Sequence, residues 1–312
     1  MPEPHFDAHQ PVLILGTGAM ACLFAGRLAA VGVPVIMLGS WKQALSALDT
    51  FGVRIDEKDA SPSAYPVRTA TSPEHVGRVQ YALVLLKSWQ TAQAARQLTR
   101  CLAPDGVAMT LQNGIGNGEI LVEILGSDRV AVGVTTYGGY LLEPGLVRPA
   151  GQGVISIGEH PHVAALAATL REAGFFVEIS PDVTTLLWGK LVINASINPI
   201  AALLNLTNGG VVEYESTRKL LDAAVKEATA VATAKGINLP YADPQGTVET
   251  IARRTAANRS SMLQDLLRGA QTEADAILGA IVQAGEQTGV PTPVLYTLWN
   301  LVKARVEIMA VP

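Results

Sequence analysis

The sequence predicts an α/β protein in two parts: a doubly wound parallel sheet over residues 1–180 and an all-helical domain over residues 181–312. Three observations carry that prediction. Short aliphatic runs alternate with helical patterns through the first half, as they do where crossover helices join parallel strands. Strand signals almost vanish beyond Pro181 while long helical patterns continue. The chain has 312 residues, 49% of them hydrophobic, which suits two domains with sizeable cores.

The first element is Val12 to Leu15, an aliphatic strand that runs into Gly16-Thr17-Gly18-Ala19-Met20-Ala21 and a helix from Cys22 to Val31. Gly32 ends the helix and Val33 to Leu38 reads as the second strand, completing a βαβ unit. Because neither strand alternates, both faces should be covered. Strands follow at Tyr81 to Leu86, Val107 to Leu111 and Val130 to Val134, with helices at Trp89 to Leu102 and Gly118 to Leu125. Glycine-rich pieces from Tyr140 to Ile157 read as antiparallel additions at the sheet edge, and a helix near Val163 to Ala173 with a strand near Phe175 to Ile179 closes the domain. The helical half reads as Thr185 to Leu204, Ser216 to Lys235, Pro244 to Ala256, Asp265 to Thr288 and Pro293 to Met309.

Composition removes several classes of function. With 23 basic and 27 acidic residues and no long run of one sign, the net charge of −4 offers nothing to nucleic acid in bulk. Cys22 and Cys101 are too few for a disulfide framework or a cysteine metal site, and a reducing, cytoplasmic setting is expected. Residues 1–10 lack the pattern of a secretory signal and read as a short frayed extension. The apolar stretch Leu186 to Leu206 is interrupted by Lys190, Asn194, Asn198 and Pro199, so no membrane span is expected. The five histidines fall in loops or at the terminus, which argues against a histidine metal site or a serine-histidine triad. The apolar helical half is compatible with a homodimer.

The glycine turn has a specific chemistry. Gly16 turns the chain, Gly18 admits a pyrophosphate to the backbone N–H groups, and the small Ala21 lets helix meet strand, which is the logic of a Rossmann dinucleotide site. The tip of the second strand, Gly39-Ser40-Trp41-Lys42, carries no carboxylate to hold an adenosine ribose and repel a 2′-phosphate. Ser40 and Lys42 can hold that phosphate, so NADP is expected over NAD; the bland alternative is a solvated lysine beside a packing tryptophan.

Other polar residues stand where burial would cost free energy unless something satisfies them. Lys87 and Asn113 directly follow strands, where sheets of this kind bind ligands, although a solvated lysine and an Asn-Gly turn explain them equally well. Lys190, Asn194 and Asn198 recur at intervals of four within an aliphatic helix and so share one face, which reads as the wall of a cleft or else as a buried polar network. Asn258, Ser260, Ser261 and Asp265, then Thr272, Glu273 and Asp275, form a second polar cluster around a helix beginning near Asp265, where capping and surface charge are the ordinary uses.

Taken together and in order, these residues resemble the ketopantoate reductase (2-dehydropantoate 2-reductase) family, within the wider 6-phosphogluconate-dehydrogenase-like group. The resemblance rests on Gly16-Thr17-Gly18-Ala19-Met20, Leu86-Lys87-Ser88-Trp89-Gln90-Thr91, Gln112-Asn113-Gly114, Trp188-Gly189-Lys190-Leu191 with Asn194 and Asn198-Pro199, Thr207-Asn208-Gly209, Ser260 to Asp265, and Thr272-Glu273. It implies an NADP-binding Rossmann domain, a helical substrate domain, catalysis between them, and reduction of a 2-oxo acid that feeds pantothenate and coenzyme A synthesis. Lys190 then matches the catalytic lysine and Glu273 the active-site glutamate. Lys87 and Asn113 match positions near the cofactor, and Asn113, Asn194, Asn198, Asn208, Asn258 and Ser261 match the substrate pocket. A related reductase of another 2-oxo acid and a non-catalytic NADP-sensing protein are the alternatives. The chain departs from the family at the tip of the second strand, which lacks the usual arginine, and at Ala21, where many members have glycine.

Overall fold

The computed structural model describes residues 10–57 and 61–310. The expected frayed extension lies almost wholly outside the described residues, as do His5 and His9. The chain divides into two compact units, one of residues 1–112 and 117–183 and the other of residues 113–116 and 184–312.

The first unit begins β1 (Val12–Leu15), α1 (Ala19–Ala30), β2 (Val35–Leu38), α2 (Lys42–Phe51), β3 (Val53–Ile55), β4 (Ser63–Tyr65), β5 (Arg68–Ala70) and β6 (Val79–Val84). It continues through α3 (Thr91–Cys101), β7 (Leu102–Thr110), α4 (Asn117–Leu125), β8 (Val130–Thr135), β9 (Gly139–Glu143), β10 (Leu146–Pro149), β11 (Ile155–Gly158), α5 (Ala164–Glu172) and β12 (Val177–Ser180). Eight strands form one sheet in the order β12-β11-β8-β7-β6-β1-β2-β5. From β5 to β8 every neighbouring pair is parallel, which is the doubly wound order with its switch point between β1 and β6. All four residues of β1 are inaccessible: Val12 and Ile14 pack with Phe24 and Leu28 of α1 and Leu166 of α5, while Leu13 and Leu15 pack with Leu98 of α3 and Leu121 of α4. Two covered faces explain the unbroken aliphatic run.

The edge differs from expectation. Of the pieces between Tyr140 and Ile157, only β11 joins the main sheet, antiparallel to β8. Strands β9 and β10 instead belong to a separate four-stranded sheet, β4-β3-β10-β9. Strands β3 and β4 have three residues each, too few to show periodicity, and β3 pairs with β10 from a distant part of the chain.

The second unit contains α6 (Val183–Leu204), which begins at the division between units, and α7 (Asn208–Glu213), α8 (Glu215–Ala234), α9 (Pro244–Arg254), α10 (Ser261–Leu267), a π-helical segment at Asp275–Gly279, α11 (Ala280–Thr288) and α12 (Pro293–Ala310). On α8, Leu221, Val225, Ala228 and Ala232 recur at helical spacing and pack with Ile281 of α11 and Leu295 and Val302 of α12. Among the described residues, α6 is the one helix long and apolar enough to cross a membrane, and 67% of its apolar window is buried within the protein.

The expected single helix from Asp265 to Thr288 is a correction. Helix α10 starts four residues earlier because Ser260 caps it, its hydroxyl accepting from Leu263 N at 3.2 Å, and it ends before Gly269, whose φ of +66° breaks the helix. Thr272 and Glu273 therefore lie in a buried turn rather than on a helix face.

A long-range cap closes the unit. Both carboxylate oxygens of Glu227 on α8 accept from the first turn of α12, from Val294 N and Leu295 N at 2.9 Å each. Glu227→Ala is expected to lower unfolding stability by about 1–2 kcal/mol, seen as an earlier midpoint in urea with an unchanged slope. An unmoved midpoint would show that the cap has no net worth.

Candidate active site

At the carboxyl end of β1 the chain turns through Gly16, whose φ is +125° and where a Cβ would stand 3.1 Å from the carbonyl oxygen of Leu85. Thr17 is buried, its methyl lying against Gly39. Gly18, exposed and extended, precedes Ala19 and Met20 at the start of α1. The helix has no side-chain cap and no acidic residue in its first turn, and a Cβ on Gly18 would meet nothing within 4 Å. A helix N-terminus with no side-chain cap, entered through a glycine whose Cβ direction is open, suits a pyrophosphate, so these residues fit a dinucleotide. Cys22 is inert here, because burial pushes its thiol up to about 12.

Ser40, Trp41 and Lys42 are all exposed beyond β2, with Lys42 opening α2, a helix that the sequence reading leaves unassigned. Lys87 is half-buried after β6 and opens the short 3-10 turn Ser88–Gln90. Gly16 and Lys87 thus follow the two strands that flank the switch point, where such sheets bind their ligands.

The second unit assembles a cationic centre. Lys190 on α6 donates from Nζ to Asn113 Oδ1 at 2.8 Å, and Asn113 donates from Nδ2 to Glu273 Oε2 at 3.3 Å. One amide therefore bridges ammonium and carboxylate. Lys190 keeps some accessible surface, yet burial of its ammonium group pushes its pKa down from 10.5 to about 8, with the Glu273 charge opposing the fall. Glu273 is 5% exposed. The loop that presents Asn113 is seated on the π-helical segment: Ile115 N donates to Ala276 O at 3.1 Å, and Gly114, at φ +82°, leaves no room for a Cβ against that same carbonyl. One residue before Lys190 on α6, Gly189 O accepts from the Tyr241 hydroxyl at 2.9 Å, and Pro240 fills the space a side chain on Gly189 would need.

Asn194 is half-buried and Asn198 buried, one and two helical turns beyond Lys190 on α6. Asn208 and Asn258 form a separate pair: Asn208 N donates to Asn258 O at 2.9 Å, and Asn208 Nδ2 donates to Thr255 Oγ1 at 2.9 Å. Ser261 opens α10 next to the capping Ser260. Sequence reasoning misses Tyr241 and the role of Gln112 and Thr91, which meet in a buried hydrogen bond at 2.9 Å. Single polar residues at the ends of elements carry no periodic signal.

The family model described as ketopantoate reductase PanE/ApbA matches residues 12–162, and its C-terminal companion matches residues 182–306. The 2-dehydropantoate 2-reductase of Archaeoglobus fulgidus is 37% identical over 300 residues, covering 94% of this chain and 97% of that protein. That of Halobacterium salinarum is 34% identical over 297 residues with the same coverage. Among solved structures, the PanE/ApbA family ketopantoate reductase of Ralstonia eutropha superposes with a TM-score of 0.89 at 32% identity, covering 96% of this chain and 99% of that one. D-mandelate dehydrogenase, solved with NADH and anilino(oxo)acetate, reaches the same TM-score at 23% identity over 97% of this chain and all of that one, a likeness of fold. With both parts matched and relatives aligned along most of its length, the chain belongs to the ketopantoate reductase family.

Proposed function

We propose that the protein reduces ketopantoate (2-dehydropantoate) to pantoate with NADPH, that residues 1–180 hold the cofactor and residues 181–312 the substrate, and that Lys190 is the general acid. The observation that carries this reading is the partly desolvated Lys190 ammonium, held by Asn113 and offset by Glu273. The bound cofactor supplies a hydride to the carbonyl carbon. Negative charge then develops on the carbonyl oxygen, which needs a cation with a proton to give. With its pKa at about 8, Lys190 is charged at neutral pH yet parts with its proton more readily than a surface lysine.

Asn113 orients the ammonium, and Glu273 favours its charged form and accepts from the substrate hydroxyl. Asn194, Asn198, Asn208, Asn258 and Ser261 line the substrate pocket with amide and hydroxyl donors for the 2-oxo acid carboxylate, and the bond from Asn208 N to Asn258 O ties two of them together. Gly16 to Met20 receive the pyrophosphate, Ser40 and Lys42 the 2′-phosphate, and Lys87 and Asn113 lie beside the cofactor. Two buried thiols are in keeping with a cytoplasmic location.

A matrix of NADPH and NADH against ketopantoate and simpler 2-oxo acids, followed by loss of cofactor absorbance, tests the reading. Ketopantoate with NADPH is expected to give the highest kcat/KM. If simpler acids do as well, the substrate assignment fails; if NADH does as well, the cofactor assignment fails. Turnover is also expected to fall as pH rises through about 8, because Lys190 loses the proton it must donate. A profile flat to about pH 10 would remove Lys190 from the proton-transfer step.

A further inference from the structure

At the carboxyl ends of β6 and β7 lies a buried polar network that the reaction chemistry above does not use. Gln112 is 8% exposed, and its amide is fully engaged: Nε2 donates to Leu86 O at 3.0 Å and to Thr91 Oγ1 at 2.9 Å, and Oε1 accepts from Thr110 Oγ1 at 2.9 Å. Thr91, with no accessible surface, also lies 2.7 Å from Ser88 O and 2.9 Å from Asn117 Oδ1, two acceptors that share its single hydroxyl proton. Apolar side chains would fill such a place at less risk, since a buried network is costly unless every member is satisfied. Its targets give it a purpose. Leu86 and Ser88 flank Lys87, while Gln112 and Asn117 flank the loop 113–116 that presents Asn113.

We propose that Thr91 and Gln112 are positioning residues: their hydrogen bonds fix both ends of the loop carrying Asn113, and thereby the bond through which Asn113 holds Lys190. The geometry supports action through the backbone. Loop 113–116 has only four residues, is seated on Ala276 by Ile115, and has both flanking side chains meeting at one hydroxyl. A slack end would lengthen the 2.8 Å bond from Lys190 to Asn113. Asn113 Oδ1 accepts from the charged ammonium, so loosening it disfavours the charged form.

The kinetic arm of the test rests on the proposed ketopantoate reduction; the spectroscopic arm does not. In the full-length protein labelled with [ε-13C]lysine, the Lys190 resonance is assigned as the signal that Lys190→Ala removes, and its titration is followed in wild type, Thr91→Val and Thr91→Ser. Thr91→Val is expected to lower the titration midpoint by about half a pH unit and kcat by about tenfold, while Thr91→Ser keeps both near wild type. A folded Thr91→Val protein with an unmoved midpoint overturns the proposal, whether or not its turnover falls, because general loosening would lower turnover alone. Equal damage from Thr91→Ser overturns it as well. If Thr91→Val does not fold by circular dichroism, Gln112→Met is read the same way, and loss of folding in both makes the network structural and ends the proposal. Failure of the wild type to reduce ketopantoate would count against the functional reading and leave the titration result standing.

Discussion

Lys190→Ala is expected to lower kcat for ketopantoate by about 10²–10⁴-fold, the range for removing a positioned general acid. The loss should fall on kcat more than on KM, since the donors proposed for the carboxylate, Asn194, Asn198 and Ser261 among them, remain. NADPH binding should be unaffected, as the residues proposed to hold the cofactor, in the glycine turn and at the tip of β2, are untouched. Lys190→Arg is expected to fare little better. Its guanidinium carries the charge, but it holds its proton far more tightly than an ammonium and does not give it up. Steady-state kinetics together with cofactor fluorescence titration separate these effects, and turnover within about tenfold of wild type would exclude Lys190 as the acid.

Gly18→Asp should uncouple stability from cofactor binding. The residue has an extended backbone at φ −81° and ψ −173°, and its Cβ direction is open, so aspartate fits without strain. Aspartate is also a favoured N-cap: its carboxylate would accept from the first turn of α1, where no side chain does so now, keeping stability level or raising it by a few tenths of a kcal/mol. The same carboxylate would occupy the N–H groups proposed to receive the pyrophosphate and would repel its charge. The NADPH dissociation constant is expected to rise on the order of a hundredfold or more, the scale of losing charge-assisted hydrogen bonds. Thermal unfolding and fluorescence titration of the same sample should therefore move in opposite senses. Unchanged binding would mean that the helix N-terminus is not the phosphate site.

The strand, turn and helix from Val12 to Ala30 are legible in the sequence because an unbroken aliphatic run, a glycine turn and a helical pattern follow one another within about twenty residues, and the burial of both faces of β1 is what makes that run unbroken. The stripe of Lys190, Asn194 and Asn198 is visible for a similar reason, since polar residues at helical spacing stand out in an aliphatic helix. The sheet β4-β3-β10-β9 is not legible, because three-residue strands show no period and β3 finds its partner β10 across the sequence. Gly269 marks the break after α10, but the apolar spacing on either side masks it. Nothing local links Asn113 to Glu273, 160 residues away; only the ordered motifs of a family bring the two together, and the hydrogen bond between them is a tertiary fact. Thr91 and Gln112 stand in the ordered motifs, but their hydrogen bonds are not legible there, because threonine and glutamine near strand and helix ends are common and cheap when exposed. Their burial does not follow from composition.

The four-residue excursion 113–116 makes the protein indivisible in a particular way. A cut at residue 183 would yield a helical fragment containing Lys190 and Glu273, the two charged groups, without the amide that joins them. Exchange of halves between relatives at that point would carry Lys190 and its counter-charge but take their bridge from the other parent. Recombination can therefore preserve every charged group of the site and still depend on whether Asn113, Gly114 and the flanking Gln112 and Asn117 arrive from a loop that matches Ala276.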